Sequence, residues 1–237
     1  MLQNNFKKQL DQLNHISSLP HRSDDLSILI ESIYNNGIIG QRQLLTFIIH
    51  RYTNKSIITS WIDGQIFELL LKSPFSIVTN ALKKDLPDGV ICLDSESQIN
   101  YKLLQELLVN NKFQEANKIT EKILYQLSKK SNNHSKYRLY FSDIYTLPCQ
   151  DLKIIDQLWK VHSKGLFGLS VQKNIWKANH KNWYQFYKTI SWINSKDIYR
   201  HYPAEFIWDT SAPRGHLPLF NQIRGHHVLE ALFTYNL

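Results

Sequence analysis

The stretch WDTSAPRGHLPLFNQIRG, residues 208–225, decides how the C-terminal half of the chain is built. It holds two prolines, two glycines and two arginines, and neither the helical nor the strand period of apolar residues continues through it. Pro213 and Pro218 restrict the residues before them to extended backbone, and Gly215 offers a backbone position without a side chain. The pattern predicts a long ordered loop. Its mixture of apolar and cationic groups favours a binding surface, with a loop merely packed on the core as the alternative.

The segments before this loop carry apolar residues at spacings of three and four, which predicts a series of amphipathic helices. Residues 1–85 are expected to form an accessory bundle of five short helices, with Gly40 before the third and Pro74 opening the fifth. The turn-rich and polar tract 86–99 predicts a linker. Residues 100–237 are expected to form a second domain that begins with a helical hairpin. The sequence contains no β-hairpin signal, such as Asn-Gly between two runs of alternating apolar and polar residues. The predicted fold class is therefore all-α.

The composition indicates a basic globular protein. Hydrophobic residues make up 43% of the 237 positions, which is enough to build real cores. The formal charge of +8 predicts attraction to anions such as nucleic acids, acidic membrane surfaces or carboxylate ligands. Cys92 and Cys149 form no Cys-x-x-Cys pair, which argues against a zinc ribbon or a disulfide scaffold and indicates a reducing compartment. No apolar run approaches the roughly 20 residues that span a bilayer, and the first 19 residues lack a signal core.

Two kinds of reactive site can be weighed from the residues themselves. Asp209, Ser211 and His216 are close in sequence but lack a Gly-x-Ser-x-Gly elbow and an evident oxyanion hole, so a turn hydrogen bond is favoured over a catalytic triad. His226 and His227 are adjacent, and on a helix their side chains would diverge by about 100°. A structural zinc site also needs four well-placed ligands. We therefore predict no catalytic residue and no metal site.

The segment 173–192 interleaves lysines with aromatic residues. Cations can follow phosphates while aromatic side chains stack on bases, so single-stranded nucleic acid is one candidate ligand. Tryptophans at helical spacing, however, more often belong to a protein core, and the lysines could equally form a solvated face. The residues concerned are Lys173, Trp176, Lys177, Lys181, Trp183, Tyr184, Phe186, Tyr187, Lys188 and Trp192.

A flat, largely apolar anion such as a porphyrin agrees better with the loop at 208–225. Such a ligand needs aromatic and aliphatic walls for its faces, and one or two arginines for its carboxylates, which a guanidinium can bind bidentately. The C-terminal half of the chain offers both kinds of group.

Four separated blocks of sequence carry a family resemblance. They are FQEANKIT at 113–120, LPCQDL at 147–152 continuing to IDQLW at 155–159, SKGLFGLSVQ at 163–172, and WDTSAPRGHLP at 208–218. In order and spacing, residues 100–233 resemble the genomes-uncoupled-four family, whose members are porphyrin-binding activators of magnesium chelatase in chlorophyll biosynthesis. The N-terminal part is similar in kind to the accessory bundle of cyanobacterial members.

This resemblance implies an all-helical "cupped hand" whose apolar palm binds protoporphyrin IX and Mg-protoporphyrin IX as ligands, without a catalytic cofactor. It implies a non-catalytic regulator that docks on the large porphyrin-binding subunit of magnesium chelatase. The expected location is the plastid, in the chloroplast stroma with peripheral membrane association, or the cyanobacterial cytoplasm; no nucleic-acid partner is expected. The alternatives are a bilin- or tetrapyrrole-binding module without chelatase contact, and a basic nucleic-acid-binding protein.

The resemblance also assigns site residues. Arg214 is expected near the ligand's propionates together with Arg224. Glu121 and His227 stand where a cyanobacterial relative has rim cations, and Glu121 would repel a propionate. Asn117, Leu169 and Ser191 replace the family's usual aspartate, phenylalanine and glycine. The positions matching the family's palm and rim are Phe141, Tyr202, Phe206, Asn221 and Arg224, and Tyr202 stands where that relative has tryptophan.

Overall fold

The structure is a computed structural model that describes residues 2–16, 24–54, 56–132, 139–219 and 226–235. Within these ranges every regular element is a helix, and the one strand-like feature is an isolated bridge between Ile193 and Tyr199. The predicted all-α class is therefore confirmed. The chain divides into two compact units, Met1–Cys92 and Leu93–Leu237, and the predicted limits of the bundle, the linker and the second domain stay predictions.

The first unit contains five helices among the residues described, as the apolar spacing predicts. Their buried faces carry the leucine and isoleucine positions of that spacing, including Leu13, Ile30, Leu44, Ile66 and Leu82, all completely buried. The helices are α1 (Leu2–Ile16), α2 (Asp24–Tyr34), α3 (Gly37–Thr53), α4 (Trp61–Leu71) and α5 (Ser76–Asp85).

Two boundaries in this unit differ from the prediction. Gly40 lies inside α3, not before it, and a Cβ atom there would fall 1.9 Å from the carbonyl oxygen of Ile33. The glycine is thus needed for the close approach of α3 to the end of α2, and does not mark a helix start. Pro74 does not open α5, because the helix begins at Ser76 with Phe75 in the N-cap position.

A buried ion pair joins α3 to α4. The Arg51 guanidinium donates from Nη2 to Oδ2 of Asp63 over 3.0 Å, and Nε donates to Oδ1, with both side chains at most 4% exposed. The same carboxylate accepts the backbone N–H of Ser60 at 2.7 Å, which satisfies one of the free donors at the start of α4. One side chain therefore neutralises a buried cation and caps a helix.

The second unit contains seven helices among its described residues. The predicted hairpin is present as α6 and α7, with Asn111 at φ +56° in the turn. Phe113, Trp159 and Phe167 pack their rings against one another in the core. The helices are α6 (Lys102–Val109), α7 (Phe113–Asn132), α8 (Phe141–Ile144), α9 (Cys149–Val161), α10 (Leu169–Ala178), α11 (Trp183–Thr189) and α12 (His227–Thr234).

The last helix, α12, was not predicted. It buries Val228, Leu229, Leu232 and Phe233, and it contacts α8 and α10. None of the described helices is both long and apolar enough to cross a membrane. Cys92 and Cys149 are both in the thiol form, not joined by a disulfide.

Candidate functional site

The described part of the C-terminal loop, residues 208–219, is held in place by hydrogen bonds to α10 and the segment before it. Gln172 donates its amide N–H groups to the carbonyl oxygens of Gly215 at 2.9 Å and Pro218 at 2.8 Å. The backbone N–H of Gly215 donates to Leu166 at 2.8 Å, and that of Gly168 donates to Leu217 at 3.1 Å. This described part of the loop is ordered because its backbone groups have partners in the core.

Gly215 lies where the loop comes closest to the helices beneath it. Its φ is +83°, in the region that side chains disfavour, and an added Cβ would lie 2.5 Å from Cδ1 of Ile175 and 3.0 Å from Cγ2 of Ile190. The sequence predicts a backbone position that disfavours a side chain, and the structure gives two separate reasons.

His216, a residue of this loop, is completely buried. Its uncharged ring joins the backbone of Ile190 to that of Ile207. Its Nδ1 lies 2.7 Å from the carbonyl oxygen of Ile190, while its Nε2 accepts the backbone N–H of Ile207 at 3.2 Å. These contacts place the proton on Nδ1. Burial lowers the pKa of His216 and the charge of Arg200 lowers it further, against a raising effect of the Ile190 hydrogen bond.

The residues that resemble a catalytic triad do not form one. Both ring nitrogens of His216 are engaged by backbone groups. Asp209 accepts the backbone N–H of Ser211 at 2.7 Å, which is the turn hydrogen bond expected from the sequence. These three side chains therefore stabilise the loop.

Acidification is expected to loosen this unit through His216. Because the folded ring has a pKa below its usual 6.5, the unfolded chain binds the proton more readily, so the free energy of unfolding falls as the pH drops below about 6.5. The slope from this one group is at most about 1.4 kcal/mol per pH unit. Urea unfolding between pH 5 and 8 measures it. In His216→Gln, whose amide also offers a donor and an acceptor, the slope should be smaller; an equal slope would contradict the assignment.

The predicted palm residues fall into two groups in the structure. Phe141, more than half exposed at 55%, begins α8, and its ring lies 6.4 Å from that of His227 at the start of α12. Tyr202, exposed at 45%, and the buried Phe206 both contact the ring of Trp208, with centroid distances of 6.0 and 6.2 Å. Trp208 was not assigned to the site, although it opens the deciding loop. Its indole N–H donates to the carbonyl oxygen of Pro203 at 3.0 Å, which fixes its ring.

Glu121 and Arg214 are the charged residues of the predicted rim that the structure describes. Glu121 on α7 is exposed, and together with the larger effect of burial it raises the pKa of Tyr202. Arg214 is half-buried, and burial lowers the pKa of its guanidinium. Its buried Nε has no hydrogen-bond partner, and within the described ranges no carboxylate pairs with this side chain. Asn221 and Arg224, both predicted for the site, lie outside the described residues.

The sequence comparison decides the family. A model of the GUN4-like family matches residues 94–236, which is more than half of the chain. The chain belongs to the GUN4-like family. It is 40% identical over 232 residues to the Ycf53 protein of Pyropia yezoensis, covering 98% of this chain and 97% of that protein. The Ycf53-like protein of Synechocystis sp. is 32% identical over 227 residues, covering 95% of this chain and 96% of that protein.

Two further relatives link the GUN4-like chain to plants and green algae. The "Tetrapyrrole-binding protein, chloroplastic" of Arabidopsis thaliana is 34% identical over 148 residues, covering 59% of this chain and 56% of that protein. The structure of GUN4 from Chlamydomonas reinhardtii superimposes with a TM-score of 0.54 at 37% identity, covering 60% of this chain and 90% of that one. The fold of the matched region is thus that of solved GUN4 structures.

Two of the departures from the usual GUN4-like sequence have clear local roles. Asn117 is buried, and its Oδ1 accepts the backbone N–H of Leu219 at 2.6 Å, a bond that the family's aspartate could also accept. Ser191 has φ +54°, where glycine is the least strained residue.

The aromatic residues of 173–192 are mostly core, which disfavours the nucleic-acid alternative for this GUN4-like chain. Trp176, Phe186, Tyr187 and Trp192 are at most 9% exposed, so they offer no open face to a base. Lys177, Lys181 and Lys188 are exposed, and Lys188 pairs with Asp197 at 3.0 Å. The lysines form a solvated face over a buried aromatic cluster.

Proposed function

We propose that this chain is a non-catalytic, tetrapyrrole-binding regulator that binds protoporphyrin IX and Mg-protoporphyrin IX and stimulates magnesium chelatase. Membership of the GUN4-like family supports the proposal, as does the similarity to a plant protein named for tetrapyrrole binding. The proposed partner is the large porphyrin-binding subunit of the chelatase. The proposed location is the plastid, in the stroma with peripheral membrane association, or the cytoplasm of a cyanobacterium.

The observation that carries the proposal is the state of Arg214. The guanidinium of Arg214 is half-buried, and no described residue accepts a hydrogen bond from its buried Nε. Such a cation can bind an anionic ligand. A propionate can accept two parallel N–H bonds from such a group, and partial burial strengthens them. Phe141 and Tyr202 have exposed rings, which suit a flat apolar macrocycle.

The remaining site residues enter the proposal from their family positions. Phe206, backed by Trp208, forms the inner part of the Tyr202 wall. Asn221 and Arg224 contribute a polar group and a second cation to the rim, while His227 adds an imidazole next to Phe141. Glu121 opposes an incoming carboxylate, so the propionates are expected to turn toward the arginines.

Titration with a water-soluble protoporphyrin analogue, followed by tryptophan fluorescence, tests the site. Arg214→Ala and Arg224→Ala should each weaken binding by roughly 10- to 100-fold, since a hydrogen bond to a charged group contributes about 1.5–3 kcal/mol. Tyr202→Ala should weaken it, whereas Tyr202→Phe keeps the ring and should bind nearly normally. Arg42→Ala, on the exposed face of α3, is the control for lost charge. Unchanged affinity in Arg214→Ala would contradict the proposed rim.

A capture experiment separates the chelatase proposal from its alternative. The porphyrin-loaded chain should retain the purified large subunit of magnesium chelatase. A chain that binds porphyrin or bilin but retains no subunit would be a tetrapyrrole module without chelatase contact. A nucleic-acid-binding protein would instead bind RNA with a steep salt dependence that porphyrin does not compete away.

A further inference from the structure

The start of α12 brings together three side chains that ligate metals. The ligand atoms of His226, His227 and Glu230 all lie within 4.8 Å of one another. His227 and Glu230 are one helical turn apart, and His226 in the N-cap position is four residues from Glu230, so all three reach the same side of the helix start. The two adjacent histidines do not diverge as the sequence predicts, because their ring centroids are only 4.8 Å apart.

Aromatic neighbours from two other helices hold the imidazole rings. His226 stacks on Trp183 of α11 with a centroid distance of 4.8 Å and an interplanar angle of 20°. His227 faces Phe141 of α8 at 6.4 Å. Packing of this kind limits the rotamers of both histidines, which lowers the entropy that is lost when they ligate an ion.

The three side chains are also free of competing contacts. Across the residues that the structure describes, none of them forms a hydrogen bond or an ion pair through its side chain. His226 and Glu230 are half-buried and His227 is exposed, so an ion can enter from solvent without first displacing a protein partner.

We propose that His226, His227 and Glu230 form a binding site for a divalent transition-metal ion such as Zn²⁺. Two imidazoles and one carboxylate are the donor set that Zn²⁺, Cu²⁺ and Ni²⁺ accept, whereas Mg²⁺ prefers oxygen ligands only. Ligand atoms around tetrahedral zinc lie about 3.3 Å apart, so side-chain rotation closes the cluster by about 1.5 Å at its widest pair. Three protein ligands leave the fourth position to water.

Calorimetric titration of the full chain, free of any added histidine tag and of porphyrin, tests this site with ZnCl₂ as the probe. One Zn²⁺ should bind per chain, and MgCl₂ should produce no binding at this site. Glu230→Gln and His227→Gln should each weaken Zn²⁺ binding at least tenfold, because even outer-shell changes at metal sites weaken binding 10- to 100-fold. His180→Gln and His201→Gln replace exposed histidines outside the cluster and should bind Zn²⁺ as the parent does.

The result that would overturn the site is Zn²⁺ binding that is unchanged in Glu230→Gln and His227→Gln, or that the control substitutions weaken equally. Far-UV circular dichroism of each variant identifies any loss caused by unfolding of α12. Glu230→Gln keeps the shape of the side chain, so it tests ligation with the least disturbance to packing. Because no porphyrin is present, failure here leaves the tetrapyrrole proposal unaffected.

Discussion

Replacing Arg51 by methionine is expected to destabilise the first unit by about 3–5 kcal/mol. The substitution removes a cation that lies inside the fold and leaves the Asp63 carboxylate buried with no positive partner. Asp63 would still accept the backbone N–H and the hydroxyl of Ser60, but these two bonds do not offset the loss of solvation of a buried charge. The contact of the guanidinium with the Phe47 ring, 5.5 Å to the centroid, is lost as well.

Amide hydrogen exchange read out by mass spectrometry suits this test, because it reports peptides of α3 and α4 separately from the second unit. Arg42 is an exposed residue on the same helix, and Arg42→Met should change the free energy of opening by no more than about 0.5 kcal/mol. A double variant, Arg51→Met with Asp63→Asn, should recover part of the loss, since it removes the uncompensated charge. A loss of stability below about 1 kcal/mol in Arg51→Met would contradict the prediction and show that water hydrates the Asp63 carboxylate when its partner is removed.

Helices with wide apolar faces could be predicted from the sequence, whereas their ends often could not. Periodicity identified α2, α4 and α9 because their buried residues recur at spacings of three and four. Gly40 is needed because α3 comes close to the end of α2 at this residue. The apolar pattern of one helix does not predict a contact between two helices. The short helix α12 was not predicted even though Val228, Leu229, Leu232 and Phe233 carry helical spacing, because eight residues that directly follow a loop give only a short pattern.

Candidate site residues could be named from the sequence where a family motif carries them, whereas contacts that the tertiary structure creates could not. Phe141, Tyr202, Phe206, Arg214 and His227 came from the resemblance, and the structure shows which of these touch. The role of Trp208 depends on its ring lying between Tyr202 and Phe206, and the cluster at α12 depends on Trp183 and Phe141 holding two imidazoles. The contacts of the two imidazoles with Trp183 and Phe141 join separate segments of the chain, so no sequence spacing reveals them.

Replacing Gly215 by alanine is expected to destabilise the second unit by about 2–5 kcal/mol. Two effects add: a side chain at φ +83° costs about 1–2 kcal/mol, and a Cβ that meets Ile175 at 2.5 Å and Ile190 at 3.0 Å forces an overpacked core to shift at a cost of about 1–3 kcal/mol. The loop cannot move away without breaking two hydrogen bonds of Gly215: its carbonyl oxygen accepts from Gln172, and its N–H donates to the carbonyl oxygen of Leu166. Arg214 is the neighbouring residue, so the same shift should weaken porphyrin-analogue binding.

Gly37→Ala separates the two contributions. Gly37 has a similar positive φ of +67°, but nothing lies within 4 Å of its added Cβ, so this variant should lose only the backbone part, about 1–2 kcal/mol, in its own unit. It should leave binding of the protoporphyrin analogue unchanged. Urea unfolding, hydrogen exchange and the fluorescence titration together measure both variants. If Gly215→Ala lost no more stability than Gly37→Ala and bound the analogue normally, the loop would not be held against Ile175 and Ile190, and Arg214 would owe its position to other contacts.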